Sequence, residues 1–429
     1  MTGHRLLRLT EKVQRIENCG LFVDLIKTSR GTIRVGSMPD VSKYLEHYGF
    51  REETVIVPDW EGSMCGDNRT GEEFVLWRSQ LKTDMGKKYV GSPDNLKRMY
   101  GNLEKIFPFF FDPERIGIVR KSWLDNWFKK EPAAPLYRNN SLEIHCEGGN
   151  ITVRDQGQNI YSRKESLPPV DVNEAVEEIL ATVTRDNLRR DDLEVTAVGT
   201  GNGFTGTVSS AVVRFGTSVI WIDPCGYPAW NLAEHGIHWD DITHILITHN
   251  HEDHIQGFSA CLKKAEHTGI PIQLITGRAI LNILRKQFSP LCPQFDRLVR
   301  FIPLSPANHP LKLGKLQLDC RWNHHFLPYG TLGLKFSGGG KVFGFSGDTK
   351  LDEKINRILG RKKLLPQWFA RCDLLFHEVD FDSPGSVHTH WKQVEKLQQA
   401  VAARILCYHS AVLDNGPLPQ VKAGKTYRL

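Results

Sequence analysis

Nine cysteines are scattered through the 429 residues. They form no C-x-x-C pair and their number is odd, which excludes a disulfide framework and a structural zinc knuckle as organising devices. Such usage fits reduced thiols in a cytoplasmic protein. No apolar run reaches the length that a membrane-crossing helix needs, and the mean hydropathy is −0.35. The opening "MTGHRLLRLTEKVQRIENCG" is basic, but it lacks the continuous apolar stretch of a secretory leader. Arg5, Arg8 and Arg15 would suit a mitochondrial presequence, whereas Glu11 and the absence of serine argue against one. Neither an internal repeat nor a low-complexity segment is visible. What remains is an ordinary globular composition, in a chain long enough for two domains.

Charge divides unevenly. Residues 1–192 carry 29 Lys and Arg against 30 Asp and Glu, while residues 193–429 carry 26 against 19. The net charge of +6 therefore belongs to the C-terminal half, where it would favour an anionic substrate. Scattered solvated lysines describe that excess better than a nucleic-acid stripe.

Two proline-containing charged stretches, "KKEPAAPLY" (129–137) and "KESLPPVDVNE" (164–174), read as linkers or loops. Around them, "TVIVPDW" and "EEFVLWRSQL" read as strands, and "SPDNLKRMYGNLEKIF" as a helix. "SLEIHCEGGNITVRDQGQNIYS" alternates about Gly-Gly as a hairpin does. "DVNEAVEEILATVTRDNLRR" runs from an acidic to a basic end, as an amphipathic helix does. These readings outline a separate N-terminal α+β domain over 1–190. A second, α/β domain then occupies 191–429.

In that second half, strands repeatedly end in His or Asp. "SSAVVRFGTSVIWIDPCG" is a hairpin ending at Asp223, and "DDITHILITHNHEDH" is a buried strand running into a dense polar motif. "LGLKFSGGGKVFGFSGDTK" ends at Asp348, and "RILCYHS" ends at His409. The carboxyl ends of strands are where α/β proteins gather ligands. In "THNHEDHIQG", His249 and His251 are two residues apart, so in an extended segment both point the same way. Asp253 and His254 follow as a helix begins. A helix-capping aspartate beside solvated histidines would explain one such residue, but not the whole H-x-H-x-D-H set. Imidazole and carboxylate donors suit a borderline metal such as zinc. Further donors are available downstream in His324 or His325, Asp348 and His409.

These motifs resemble the metallo-β-lactamase superfamily over about residues 193–412, from "VGTGNG" through "ITHNHEDHIQG" and "GDT" to the closing histidine. The resemblance implies an αββα sandwich and two divalent ions, Zn2+ or Mn2+. One would be held by His249, His251 and the third-motif histidine, for which His325 is favoured over His324. The other would be held by Asp253, His254 and His409, with Asp348 bridging. "DLLFHEV" and "SVHTHWKQVEKL" resemble motifs of the ribonuclease Z and phosphodiesterase branch. There Glu378 and His388 are associated with protonation of the leaving oxygen, and His390 competes for that role. Asp253 would also orient the attacking hydroxide. For His377 and Glu378 a purely structural part, holding a loop by hydrogen bonds, weighs equally.

The chain has no long basic insertion like the tRNA-gripping arm of ribonuclease Z. That points away from mature tRNA processing and towards a smaller phosphodiester. Two alternatives stay open: a lactone, thioester or other carboxyl ester hydrolysed on the same site, and an inactive binding or scaffold protein. The expected partners are an anionic small molecule, nucleotide or nucleic acid, without a membrane. A second copy of the chain and a protein bound by the N-terminal domain complete the expectation.

Overall fold

Period-two burial builds most of the strands. Asn150–Asp155 alternates exposed and buried side chains, and its inward Ile151 and Val153 are wholly buried. The described residues of this computed structural model are 5–18, 21–36, 49–58, 87–93, 128–132, 136–147, 150–164, a few single positions between these, and 190–429 except 203–206, 227, 290–291, 326–330, 352, 359–363, 383 and 385. The expected strand at "EEFVLWRSQL" lies outside them. So do most of the helix expected from Ser92 and nearly all of the helix expected over 171–190. Among the described residues no helix is long and apolar enough to cross a membrane. The chain divides into two compact units, 1–178 with 286–293, and 179–285 with 294–429.

In the first unit one sheet contains β1 (Arg5–Arg8), β2 (Val13–Asn18), β3 (Leu21–Thr28), β4 (Gly31–Val35), β5 (Thr54–Ile56), β6 (Lys87–Gly91) and β7 (Phe128–Pro132), in that order. Its strands are antiparallel as far as β4 and parallel from β4 to β7. A second sheet is the meander β8 (Leu136–Asn139), β9 (Leu142–Glu147), β10 (Asn150–Asp155) and β11 (Gln158–Lys164). The expected hairpin about Gly-Gly is thus part of a longer meander. The two sheets share a core of Ile26, Ile33, Val35, Ile56 and Val90 with Leu142, Ile144, Ile151 and Val153. Two buried carboxylates link them: Asp24 accepts from Tyr161 Oη at 2.8 Å, and Asp155 accepts from Ser29 Oγ at 2.6 Å.

"KKEPAAPLY" is not simply a linker, because Lys129–Pro132 lies in β7 and Leu136–Tyr137 in β8. Proline is tolerated there because β7 is an edge strand and Pro132 its last residue.

The second unit is also a two-sheet sandwich. Its first sheet runs in the order β17-β16-β15-β14-β13-β12-β24. Here β12 is Arg190–Gly199, β13 Ser210–Gly216, β14 Ser218–Ile222, β15 His244–Leu246, β16 Ile272–Thr276, β17 Val299–Pro303 and β24 Thr426–Arg428. The other sheet comprises β18 (Leu311–Leu313), β19 (Leu316–Asn323), β20 (Thr331–Gly338), β21 (Lys341–Phe345), β22 (Leu374–Glu378) and β23 (Arg404–Tyr408), in sequence order. The sheets face one another: the Phe376 and Tyr427 rings meet at 5.3 Å, and a Cβ on Gly338 would strike the Phe215 ring at 2.7 Å. Helix α1 is the short Glu252–Ile255, α2 is Phe258–Thr268 and α3 is Trp391–Ala400. As expected, α2 closes at Gly269, whose φ of 70° suits a residue without a Cβ. Val394 and Leu397 of α3 pack on Leu375, Ile405 and Cys407 of the second sheet. The unit is thus a layered sandwich of two facing sheets with helices packed against them, as the expected αββα arrangement requires.

A repeat absent from the sequence is present in the connectivity. In both units an antiparallel three-strand run, β2-β3-β4 or β12-β13-β14, passes into parallel strands, β4 to β7 or β14 to β17. The bonds at the strand ends also correspond. Gly36 donates to the Ile56 carbonyl as Asp223 donates to that of Leu246, and Val57 donates to Val90 as Ile247 does to Ile275. Gly36 and Asp223 both have positive φ. Where the second unit continues Ile247-Thr248-His249, the first continues Val57-Pro58-Asp59. The repeated framework therefore carries the H-x-H-x-D-H motif once.

Candidate metal centre

The dense motif begins two residues after β15. His249 and His251 leave this extended stretch, whereas Asp253 and His254 project from the single turn of α1. His325 follows β19, Asp348 follows β21 and His409 follows β23. All seven converge. Donor atoms of His249, His251, His325 and Asp348 lie within 4.8 Å of one another, as do those of Asp253, His254 and His409. Asp348 stands at the centre. Its Oδ2 is 3.9 Å from His249 Nε2, 3.7 Å from His325 Nε2 and 3.3 Å from His409 Nε2, and its Oδ1 is 3.4 Å from His254 Nε2. His324 is not part of these groups; its carbonyl accepts the Lys350 N–H at 2.8 Å.

Proton counting shows which nitrogens face inward. Asp223 accepts from Thr248 N at 2.7 Å, Thr248 Oγ1 at 2.6 Å and His254 Nδ1 at 2.8 Å. Because the Thr248 hydroxyl gives its single proton to Asp223, it must accept from His249 Nδ1 at 3.0 Å. His325 Nδ1 donates to the Val387 carbonyl at 3.3 Å. His249, His254 and His325 thus all turn an Nε2 inward. His249 Nε2 and His325 Nε2 lie 3.1 and 3.3 Å from His251 Nδ1. Two donors bound at 2.0–2.1 Å to one tetrahedral zinc would be separated by about 3.3 Å. Among the described residues His254 Nε2 and Asp348 Oδ1, 3.4 Å apart, are buried with no other polar atom in hydrogen-bond reach. Leaving such groups unsatisfied is costly in an interior, and a cation between them removes that cost. The donor set fits divalent metal ions.

Electrostatics agree with this fit. Burial, with mutual repulsion among imidazoles, holds His249 well below its ordinary pKa. Burial also holds His251 at about 4, and His325 and His409 at about 3. These rings are neutral at pH 7, the state a metal requires. Burial would raise Asp348, but His409, His254 and His249 outweigh it and keep the carboxylate charged. Burial opposes protonation of His254, yet Asp348, Asp253 and Asp223 raise its pKa. A proton there substitutes for the cation that three carboxylates attract.

Beside this cluster, Glu378 at the end of β22 accepts from Thr349 N at 3.1 Å and Thr389 N at 3.0 Å through Oε1. Its Oε2 faces His388 Nδ1 at 3.2 Å. Burial disfavours the charged His388, but Glu378 overrides it and raises the pKa to about 9. His388 Nδ1 is also 3.8 Å from Asp348 Oδ2. His377 takes no part in this: its Nδ1 donates to the Glu378 carbonyl at 2.7 Å and its ring packs near Phe369. His390 is the residue capping α3, where its N–H donates to Gln393 Oε1 at 3.2 Å.

Residues 193–415 match the family model described as anti-Pycsar protein Apyc1. The cAMP/cGMP-dependent 3′,5′-cAMP/cGMP phosphodiesterase B of Dictyostelium discoideum is 24% identical over 253 residues, which are 54% of this chain and 22% of that protein. The chain thus corresponds to about a fifth of this relative's length. Among solved structures, the metallo-β-lactamase fold protein YhfI of Bacillus subtilis is 18% identical, covering 56% of this chain and 100% of its own at a TM-score of 0.44. Human tRNase Z, short form, is 16% identical, covering 55% of this chain and 98% of its own at 0.43.

Proposed function

The chain belongs to the anti-Pycsar protein Apyc1 family, and from that premise we propose a dinuclear metal-dependent phosphodiesterase whose substrate is a nucleotide phosphodiester, foremost a 3′,5′-cyclic nucleotide. The observation that carries this reading is Asp348, a buried carboxylate that belongs to the first donor group and stands 3.4 Å from His254 Nε2 and 3.3 Å from His409 Nε2 of the second. His249, His251 and His325 would hold one ion, Asp253, His254 and His409 the other, and Asp348 both. Bound there, zinc or manganese would supply Lewis acidity and a water of lowered pKa. Asp253 would orient the attacking water. His388 donates to Glu378 through Nδ1, which leaves its Nε2–H to protonate the departing ribose oxygen. Glu378 keeps that imidazole charged and, through the Thr349 and Thr389 amides, fixes the two loops on either side.

The phosphodiesterase relative supports the choice of bond, and the basic excess of residues 193–429 suits an anionic substrate. The same donors would polarise a lactone or thioester carbonyl. A scaffold protein, by contrast, has no need for a complete set of seven donors. Free cysteines, seven among the described residues, support a cytoplasmic location. The first unit, with the framework but not the motif, is assigned to binding a partner or substrate. Assays of metal-loaded protein on bis-(p-nitrophenyl) phosphate, 3′,5′-cyclic nucleotides and a lactone test the assignment. Turnover of the lactone alone would overturn it.

A further inference from the structure

We propose that Ser209 is a positioning residue for the second ion: it fixes the tautomer of His409 and so sets the affinity of the Asp253–His254–His409 group. This rests on the metal-centre reading above. His409 has a left-handed backbone, with φ 64°, which a non-glycine residue adopts only when its surroundings impose it. The imposing group is the Thr200 carbonyl, which accepts the N–H of His409 at 2.8 Å and that of Ser410 at 3.2 Å. The side chain is held from the same segment. Ser209 Oγ lies 3.0 Å from His409 Nδ1 and 2.8 Å from the Gly201 carbonyl, in a fully buried position. A carbonyl only accepts, so the single hydroxyl proton goes to Gly201 and Oγ must accept the Nδ1 proton. His409 Nε2 is left as a bare acceptor facing Asp348 Oδ2 at 3.3 Å and Asp253 Oδ2 at 3.9 Å. Acceptors so close are reconciled by a cation among them.

The position of Ser209 follows from the backbone. Gly201 pairs with Val208, the Gly201 N–H donates to Thr207 O at 2.8 Å, and a Cβ on Gly199 would sit 2.0 Å from the Val208 carbonyl. This neck delivers Ser209 to His409. The Nδ1 protons of His254, His249 and His325 go to Asp223, Thr248 and Val387 instead. The effect of Ser209 is accordingly confined to one of the two ions.

The test is a chelator-competition titration of metal-free chain with Zn2+ and with Co2+, in wild type, Ser209→Ala and Ser209→Cys. The thiol variant keeps the side chain's shape with a weaker acceptor and serves if alanine unfolds the protein. In the variants one ion binds as in wild type and the other about 10- to 100-fold more weakly, the usual effect of losing a partner behind a metal-ligating histidine. Nitrogen NMR of metal-free wild type places the His409 proton on Nδ1. A proton on Nε2, or variants that bind both ions unchanged or weaken both equally, would overturn the proposal. Wild type binding fewer than two ions would overturn the metal-centre reading, and this proposal with it.

Discussion

Glu378→Gln separates a catalytic carboxylate from a structural one. The amide oxygen can keep both backbone bonds now made by Oε1, to Thr349 and Thr389. The loops therefore stay anchored, and only the Oε2 contact with His388 Nδ1 changes. There an NH2 group meets an N–H, so the imidazole must release its Nδ1 proton and accept instead. Its Nε2 still carries a hydrogen, but that hydrogen belongs to a neutral ring, a far weaker acid. General-acid catalysis is worth about 10²- to 10⁴-fold, or roughly 3–5 kcal/mol of barrier. The loss falls only on substrates whose leaving oxygen needs a proton. kcat/KM for a 3′,5′-cyclic nucleotide, whose leaving group is an alkoxide, should drop by that factor. For bis-(p-nitrophenyl) phosphate, whose phenolate leaves unaided, it should change only a few-fold. Equal losses on both substrates, or none on either, would refute the acid role and leave Glu378 as a loop anchor.

Asp348→Ala removes the carboxylate that faces His249 and His325 on one side and His254 and His409 on the other, so metal per chain measured by elemental analysis should fall to near zero, not by half. Gly199→Ala pushes a Cβ against the Val208 carbonyl, and urea unfolding should report a loss of about 1–3 kcal/mol, the usual cost of overpacking. Tyr161 donates to buried Asp24, and burial together with that charge raises its phenol pKa. Its folded-state pKa lies above the unfolded value near 10, so this stabilisation is complete below about pH 10 and declines as pH rises beyond it. In Tyr161→Phe that alkaline decline in urea midpoint should be smaller, and stability at pH 7 lower by about 1.5–3 kcal/mol for the bond lost to a charged acceptor.

The sequence is most legible where chemistry and backbone period coincide. His249, His251, Asp253 and His254 announce themselves because four donors within six positions have no ordinary structural explanation. Asp348 and His409 follow because they end buried strands, whereas the αββα layers are implied by the resemblance of the motifs and not by the strands themselves. Ser209 leaves no such trace: a serine before a strand resembles any other, and its meaning depends on a carbonyl eight residues earlier and a ring 200 residues later. Thr248 is hidden in the same way. Asp223 is conspicuous at its strand end, but its hold on His254 depends on the positive φ that turns it inward. The repeated connectivity of the first unit is invisible because strand order is set by pairing partners, and buried apolar residues of many kinds satisfy the same pairing.

The most direct test of the central claim is a metal titration of chelator-stripped protein, read as turnover of a 3′,5′-cyclic nucleotide. Activity should be absent from the stripped chain, rise with added zinc or manganese and saturate at about two ions per chain, the stoichiometry of a two-metal hydrolase. Turnover without metal, or a chain loaded with two ions that leaves cyclic nucleotides and other phosphodiesters intact, would contradict it.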